Sequence, residues 1–106
     1  MEILLFKEHY KIFMPDEKLA RAIRSRMRRD MLRILNEKGP ASVHSLAERL
    51  GTTESSASKH LKLLYDLGFL GFEEKHPEKL YFLKFGEMGD FLKVYDRMVD
   101  KIKRKG

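Results

Sequence analysis

The chain predicts a mainly α domain with one small β-hairpin, an α+β arrangement in a single unit. Three observations carry this expectation. Apolar residues recur at three- and four-residue steps from Leu19 to Leu64 and again from Met88 to Ile102, the period of amphipathic helices. Two short helical stretches are separated by a few residues around Gly51, the pattern of a helix-turn-helix. Between Phe69 and Leu83 the texture changes to aromatic and aliphatic runs flanking a polar stretch that contains Pro77, which reads as a hairpin.

Composition narrows the class further. The 106 residues suffice for one domain with a modest core, and 42% hydrophobic with 36% charged content describes a globular chain. No apolar run reaches the roughly 20 residues of a membrane span, and Glu2, Lys7 and Glu8 break the basic-then-apolar order of a signal peptide, so a cytoplasmic location is expected. Cysteine is absent, which removes disulfides, thiolate metal sites and thiol redox sensing. Glutamine is absent too and asparagine occurs only at Asn36, a balance with abundant charge that fits a thermophile. The net charge of +6 points toward a polyanionic partner without specifying one.

In chain order, Met1 to Met14 has mixed periodicity, with the alternation of Tyr10, Ile12 and Met14 favouring a short strand. Residues 1–16 are read as an amino-terminal extension, 17–86 as the core, and 87–106 as a carboxy-terminal helix with a basic tail. Pro15 halts the strand and Asp16 is placed as the N-cap of a helix beginning at Glu17. Leu19, Ile23, Met27, Met31, Ile34 and Leu35 form one face of that helix, and Gly39 with Pro40 ends it. Ser25 is a second possible cap, so this region is either one helix or two with a bend at Arg24 and Ser25. Ser42 opens a short helix bearing Val43, Leu46, Ala47 and Leu50, closed by Gly51; Thr52 or Thr53 caps the next, which runs to about Leu67. The hairpin tip is placed at Lys75 to Lys79. Gly86 breaks its second strand, and the last helix starts at Glu87.

On a helical wheel at 100° per residue, Ala57, Leu61 and Leu64 of the third helix cluster within about 60° and face the core. Ser55, Ser58, Lys59 and Lys62 lie opposite. Small hydroxyl side chains let a backbone approach base edges, and lysines behind them neutralise phosphates or reach guanine acceptors, which suits a helix entering a major groove. The competing reading is an ordinary solvated face.

The stretch from Ser25 to Leu83 resembles the winged-helix domain of the arsenic-repressor-like (ArsR) family of transcription factors. The residues that carry the resemblance are Leu46-Ala47-Glu48-Arg49-Leu50-Gly51, then Ser55-Ser56-Ala57-Ser58-Lys59-His60-Leu61-Lys62-Leu63-Leu64, then Leu67-Gly68-Phe69-Leu70. The resemblance implies a winged helix-turn-helix with an added dimerisation helix, acting as a homodimer on palindromic double-stranded DNA operators, with the third helix in the major groove and the wing beside it. On this basis the DNA-binding candidates are Thr53, Glu54, Ser55, Ser56, Ser58, Lys59, His60 and Lys62 on the helix, and Lys75, His76 and Lys79 on the wing. Glu54 is acidic where the family is commonly neutral, able either to accept from cytosine or to repel a phosphate.

The family's metal switches are not reproduced, since cysteine is absent and the last helix holds Asp90, Asp96 and Asp100 without a histidine. No metal or other cofactor is expected, and the effector is unknown. His9, His44, His60 and His76 are scattered over separate elements rather than spaced as ligands; His60 is expected to make a hydrogen bond beside the third helix. No nucleophile elbow, phosphate loop or zincin motif is present, so no catalysis is expected. The arginine-rich face of Arg21, Arg24, Arg26, Arg28, Arg29 and Arg33 is read as solvated and paired with acidic neighbours, with some members touching phosphate.

On the last helix, Met88, Phe91, Leu92, Tyr95, Met98, Val99 and Ile102 follow steps of three and one, an apolar seam of two heptads. The seam either packs within its own domain or pairs with a second copy. Because the core needs little beyond three helices and the hairpin, pairing is favoured, with Leu19 and Ile23 contributing to the dimer interface. The function expected is a sequence-specific, homodimeric transcriptional regulator, a repressor by class. The alternatives are an architectural DNA-binding protein and a winged-helix protein-interaction module.

Overall fold

A computed structural model describes residues 14–105. The strand expected around Tyr10 and Ile12 lies outside the described residues. The order is α1 (Pro15–Arg24), α2 (Arg26–Lys38), α3 (Val43–Leu50), α4 (Glu54–Asp66), β1 (Leu70–Lys75), β2 (Glu78–Leu83) and α5 (Glu87–Lys105). The strands form one antiparallel pair. No helix among the described residues is long and apolar enough to cross a membrane.

The first amphipathic stretch is two helices. Ser25 takes an extended conformation, with φ −86° and ψ 130°, and its hydroxyl accepts from the Arg28 amide at 3.2 Å, so it ends α1 and caps α2. The start of α1 also differs from expectation. Pro15 occupies the first turn behind Met14, which makes no side-chain cap, and Asp16 lies inside the helix with its carboxylate accepting from the Glu17 amide at 3.0 Å. Proline has no amide to satisfy at that position and its φ is already helical, so the helix begins there without a polar cap.

Gly39 closes α2 at φ 86°, a region that favours glycine. The following connection is more than a linker: Ala41 and Tyr81 exchange backbone bonds of 3.0 and 2.8 Å, a bridge that pins β2 to the turn between α2 and α3. Ser42 then caps α3 through the Ser45 amide at 3.1 Å.

The core gathers Met31, Leu32 and Leu35 of α2, Leu46 and Ala47 of α3, Ala57, Leu61 and Leu64 of α4, with Leu70 and Tyr81 from the hairpin. Of the apolar steps read from the sequence, Met31, Leu35, Leu46, Ala47, Ala57, Leu61 and Leu64 are buried, Leu19, Ile23, Met27 and Ile34 are half-buried against them, and Leu32 is buried outside that pattern. The hairpin differs in its tip. Its strands continue through the polar stretch, pairing Glu74 with Lys79 and Lys75 with Glu78, and only His76 and Pro77 form the turn. Opposite charges directly across an antiparallel pair support such pairing. This is a winged helix-turn-helix: mostly helical, with a two-stranded wing.

Candidate nucleic-acid interface

The helix-turn-helix is α3 and α4. Gly51 takes the left-handed conformation, φ 65° and ψ 36°, and the Thr52 amide returns to the Ala47 carbonyl at 3.0 Å, so the chain reverses within three residues. Thr53 then caps α4, its hydroxyl accepting from the Ser56 amide at 3.1 Å. Because that oxygen is committed to the cap, Thr53 serves α4 first as a structural residue.

Burial fixes which way α4 faces. Ala57, Leu61 and Leu64 are inside, while Ser55, Ser58, Lys59 and Lys62 are exposed. Ser56 is half-buried. Lys62 donates to the Asp66 carboxylate at 3.0 Å, an exposed pair one turn apart that water and salt weaken. Glu54, at the first helical position, is met by His44 of α3, whose Nδ1 lies 2.9 Å from its carboxylate oxygen. A carboxylate only accepts, so Nδ1–H is the donor, and Glu54 raises the His44 pKa. The carboxylate that the sequence leaves undecided is therefore paired across the helix-turn-helix.

His60 takes a different role from its neighbours. It is half-buried, and its Nδ1 lies 3.2 Å from Arg28 Nη1 of α2. It therefore faces the protein interior rather than sharing the exposed row of Ser58 and Lys59.

On the wing, Lys75, His76 and Lys79 are exposed. Lys79 is folded back, with Nζ 4.7 Å from the centre of the Phe72 ring. Phe72 in turn sits 5.3 Å from Tyr65 at the end of α4 and 5.8 Å from Tyr81. This aromatic row fixes the wing to the carboxy-terminal end of the candidate groove helix.

The arginine face divides. Arg21, Arg24 and Arg26 are exposed, and Arg33 and Arg26 pair with acidic neighbours, as expected. Arg28 and Arg29 instead turn to backbone carbonyls, and for these two the expectation of a solvated face is corrected. Arg28, 9% exposed, donates from Nε to the Ala22 carbonyl at 3.1 Å and from Nη2 to the Arg21 carbonyl at 2.6 Å. Arg29 donates from Nη1 to the carbonyls of Ile23 at 2.6 Å and Arg24 at 3.1 Å. The last four carbonyls of a helix have no partner within it, and these two guanidiniums reach all four at the end of α1. Arg33 grips Asp96 of α5 with two bonds of 3.1 and 2.5 Å and Asp30 with one of 2.7 Å. Arg26 pairs loosely with Asp30 at 4.0 Å, the acidic pairing that the sequence suggested. No local sequence signal shows that the helix following Ser25 supplies donors to the helix preceding it.

The apolar seam of α5 divides. Met88 and Leu92, at 4% and 2% exposure, belong to the protomer's own core, so their expected place in a dimer interface is corrected: they leave almost no surface to a partner. Phe91, Leu19 and Ile23 are half-buried against that core. Farther along, Tyr95 and Val99 are half-buried, while Met98 and Ile102 are 53% and 71% exposed, as is much of Val94, which the heptad reading omits. Among the described residues, no three His, Asp or Glu side chains gather as metal ligands.

This geometry defines a class, a helix-turn-helix domain carrying a wing. A family described as a helix-turn-helix domain matches residues 25–70. Among solved structures, the chain is similar to HlyU from Vibrio cholerae, with TM-score 0.70 and 24% identity over 79% of this chain and 90% of that one. It is similar to the homodimeric winged helix-turn-helix DNA-binding domain of Mb0332 from Mycobacterium bovis, a possible ArsR-family transcriptional regulator, with TM-score 0.74 and 16% identity over 87% and 84% of the two chains. The AntR antimony-specific transcriptional repressor also superposes, with TM-score 0.70 and 19% identity over 81% and 78%. Among proteins of curated function none matches by sequence. The winged helix-turn-helix fold implied by the resemblance drawn from the sequence is thus the fold shared with these structures.

Proposed function

We propose that the protein is a DNA-binding transcriptional regulator of the ArsR type, acting as a homodimer on a palindromic operator, with α4 in the major groove and the wing on the flanking groove or backbone. The observation that carries this reading is the exposed row of Ser55, Ser58 and Lys59 on a helix capped by Thr53 and held from behind by Ala57, Leu61 and Leu64. Nothing among the described residues engages those three side chains, so they remain available to base edges and phosphates. Lys62, Lys75, His76 and Lys79 add charge around them. Lys62 gives up only an exposed pair with Asp66 and Lys79 only a ring contact, so both can turn to phosphate. Two copies joined along the exposed stripe of α5 would present two such helices to half-sites about one turn apart. Repression is the action proposed, by steric exclusion at the operator.

Selection from a pool of random duplexes tests this reading. Recovery of a discrete palindrome is expected, with binding that weakens steeply as salt rises because counterions are released. The double variant Ser58→Ala with Lys59→Ala should lose specificity while retaining its fold; unchanged affinity and specificity at the same salt would remove α4 as the groove helix. Uniform occupancy without a preferred site would favour an architectural role, and no salt-dependent affinity for DNA would favour a protein-interaction module.

A further inference from the structure

A buried cation without a carboxylate is costly unless its donors are satisfied in another way. Arg28 is such a cation. Its guanidinium spends Nε and Nη2 on the Ala22 and Arg21 carbonyls and points Nη1 at His60 Nδ1, 3.2 Å away. A guanidinium has no acceptor, so His60 Nδ1 must present a lone pair and the ring proton must sit on Nε2. The ring is therefore neutral. One side chain of α2 thereby touches the end of α1 and the inner side of α4.

We propose that Arg28 is a positioning residue for α4, fixing that helix against the end of α1 through the neutral His60 ring, and that protonation of His60 releases the tie. A proton on Nδ1 consumes the lone pair that accepts from Nη1 and leaves two cations at hydrogen-bond distance. The other charges on that side are of the same sign: Arg21 and Arg24, at the end of α1, already act on Arg28. Of the carboxylates on the elements packed against α4, Glu37 of α2, Glu48 of α3 and Glu73 and Glu74 of β1 are exposed and Asp30 of α2 is paired with Arg33 and Arg26, while His44 of α3 is engaged by Glu54 at the far end of α4. Burial, then Arg28, holds His60 below its usual range, so the ring stays neutral at neutral pH and titrates on the acid side.

The inference rests on α4 being the groove helix. Extra positive charge on a DNA-facing helix ordinarily strengthens binding to a polyanion. Here acidification weakens it, because the charge arrives on the inner side and detaches the helix from its support.

Two readouts test this. The duplex recovered from the random pool is titrated against the wild type and His60→Gln between about pH 8 and about pH 5. The glutamine oxygen accepts from Arg28 without titrating, so relative to the variant the wild type is expected to lose about tenfold in affinity on the acid side, the equivalent of one charged hydrogen bond. Equal profiles for the two proteins, or wild-type binding that strengthens relative to the variant, would overturn the proposal. The second readout needs no variant and no DNA: in the free wild-type protein, NMR shifts of the amides from Ala22 to Ser25 should titrate with the His60 ring. Indifference of those amides to the His60 titration would overturn it as well. If neither protein binds DNA at any pH while the amides do follow the ring, the DNA reading falls and the tie between α1 and α4 stands.

Discussion

Arg28 and Arg29 do at the end of α1 what a glycine cap does elsewhere, donating to the carbonyls from Arg21 to Arg24. Replacing Arg28 by Met keeps the stem but orphans two carbonyls and the His60 nitrogen; urea unfolding should show a loss of about 2–4 kcal/mol, against less than about 0.5 kcal/mol for Lys101→Ala on the exposed face of α5. The two engaged histidines give opposite pH dependences. Glu54 raises the His44 pKa above 6.5, so the stability His44 contributes is complete below 6.5 and is lost as pH rises through its folded value. Burial and Arg28 lower the His60 pKa below 6.5, so its share is present above 6.5 and is lost as pH falls through its folded value. Melting temperature recorded against pH should therefore flatten on the alkaline side in His44→Gln and on the acid side in His60→Gln. A variant that flattens the opposite limb would reverse the assignment.

At the level of the element, α4 separates the residues that make the helix from those that use it. Thr53 holds its first turn and Ala57, Leu61 and Leu64 seat it. Thr53→Ala should cost about 1 kcal/mol in denaturant unfolding, and the variant's discrimination between palindrome and random duplex should persist, because Ser58 and Lys59 are untouched. Lost discrimination with unchanged stability would make Thr53 a contact residue. The helices were legible because a 3.6-residue apolar period and polar caps at Ser25, Ser42 and Thr53 are local properties. The bend at Ser25 stayed ambiguous for the reason that its deciding donors, Arg28 and Arg29, act backward across a chain reversal. The wing's turn was placed too broadly because Glu73 to Lys79 is polar throughout; only the pairing of Glu74 with Lys79 makes those residues strand.

For the whole molecule, the seam of α5 divides into a buried half and an exposed half. Its first half is core, with Met88 and Leu92 buried and Asp96 held by Arg33, while its second half shows Met98 and Ile102 to solvent. Leu92→Ala should therefore cost about 2–5 kcal/mol in unfolding at any protein concentration. Met98→Glu with Ile102→Glu should instead leave the protomer folded and convert a dimer to a monomer in sedimentation. Dimers that persist in the double variant would place the interface elsewhere on the molecule. Among the residues behind the +6 charge, Arg28, Arg29 and Arg33 serve the fold, while Lys59 and Lys62 of α4 and Lys75 and Lys79 of the wing lie exposed at the surface.

The order of helices, the helix-turn-helix, the hairpin and the outward face of α4 were set by the sequence alone, since periodicity, caps and turn residues act within a few positions of one another. The missing thiolate switch was equally a property of composition. What the tertiary structure decided is where charge goes. Whether an arginine is solvated or bridges helices, whether Glu54 is bare or held by His44, and whether His60 faces a groove or Arg28 all depend on groups distant in sequence brought within about 3 Å, the range over which hydrogen bonds are made or lost.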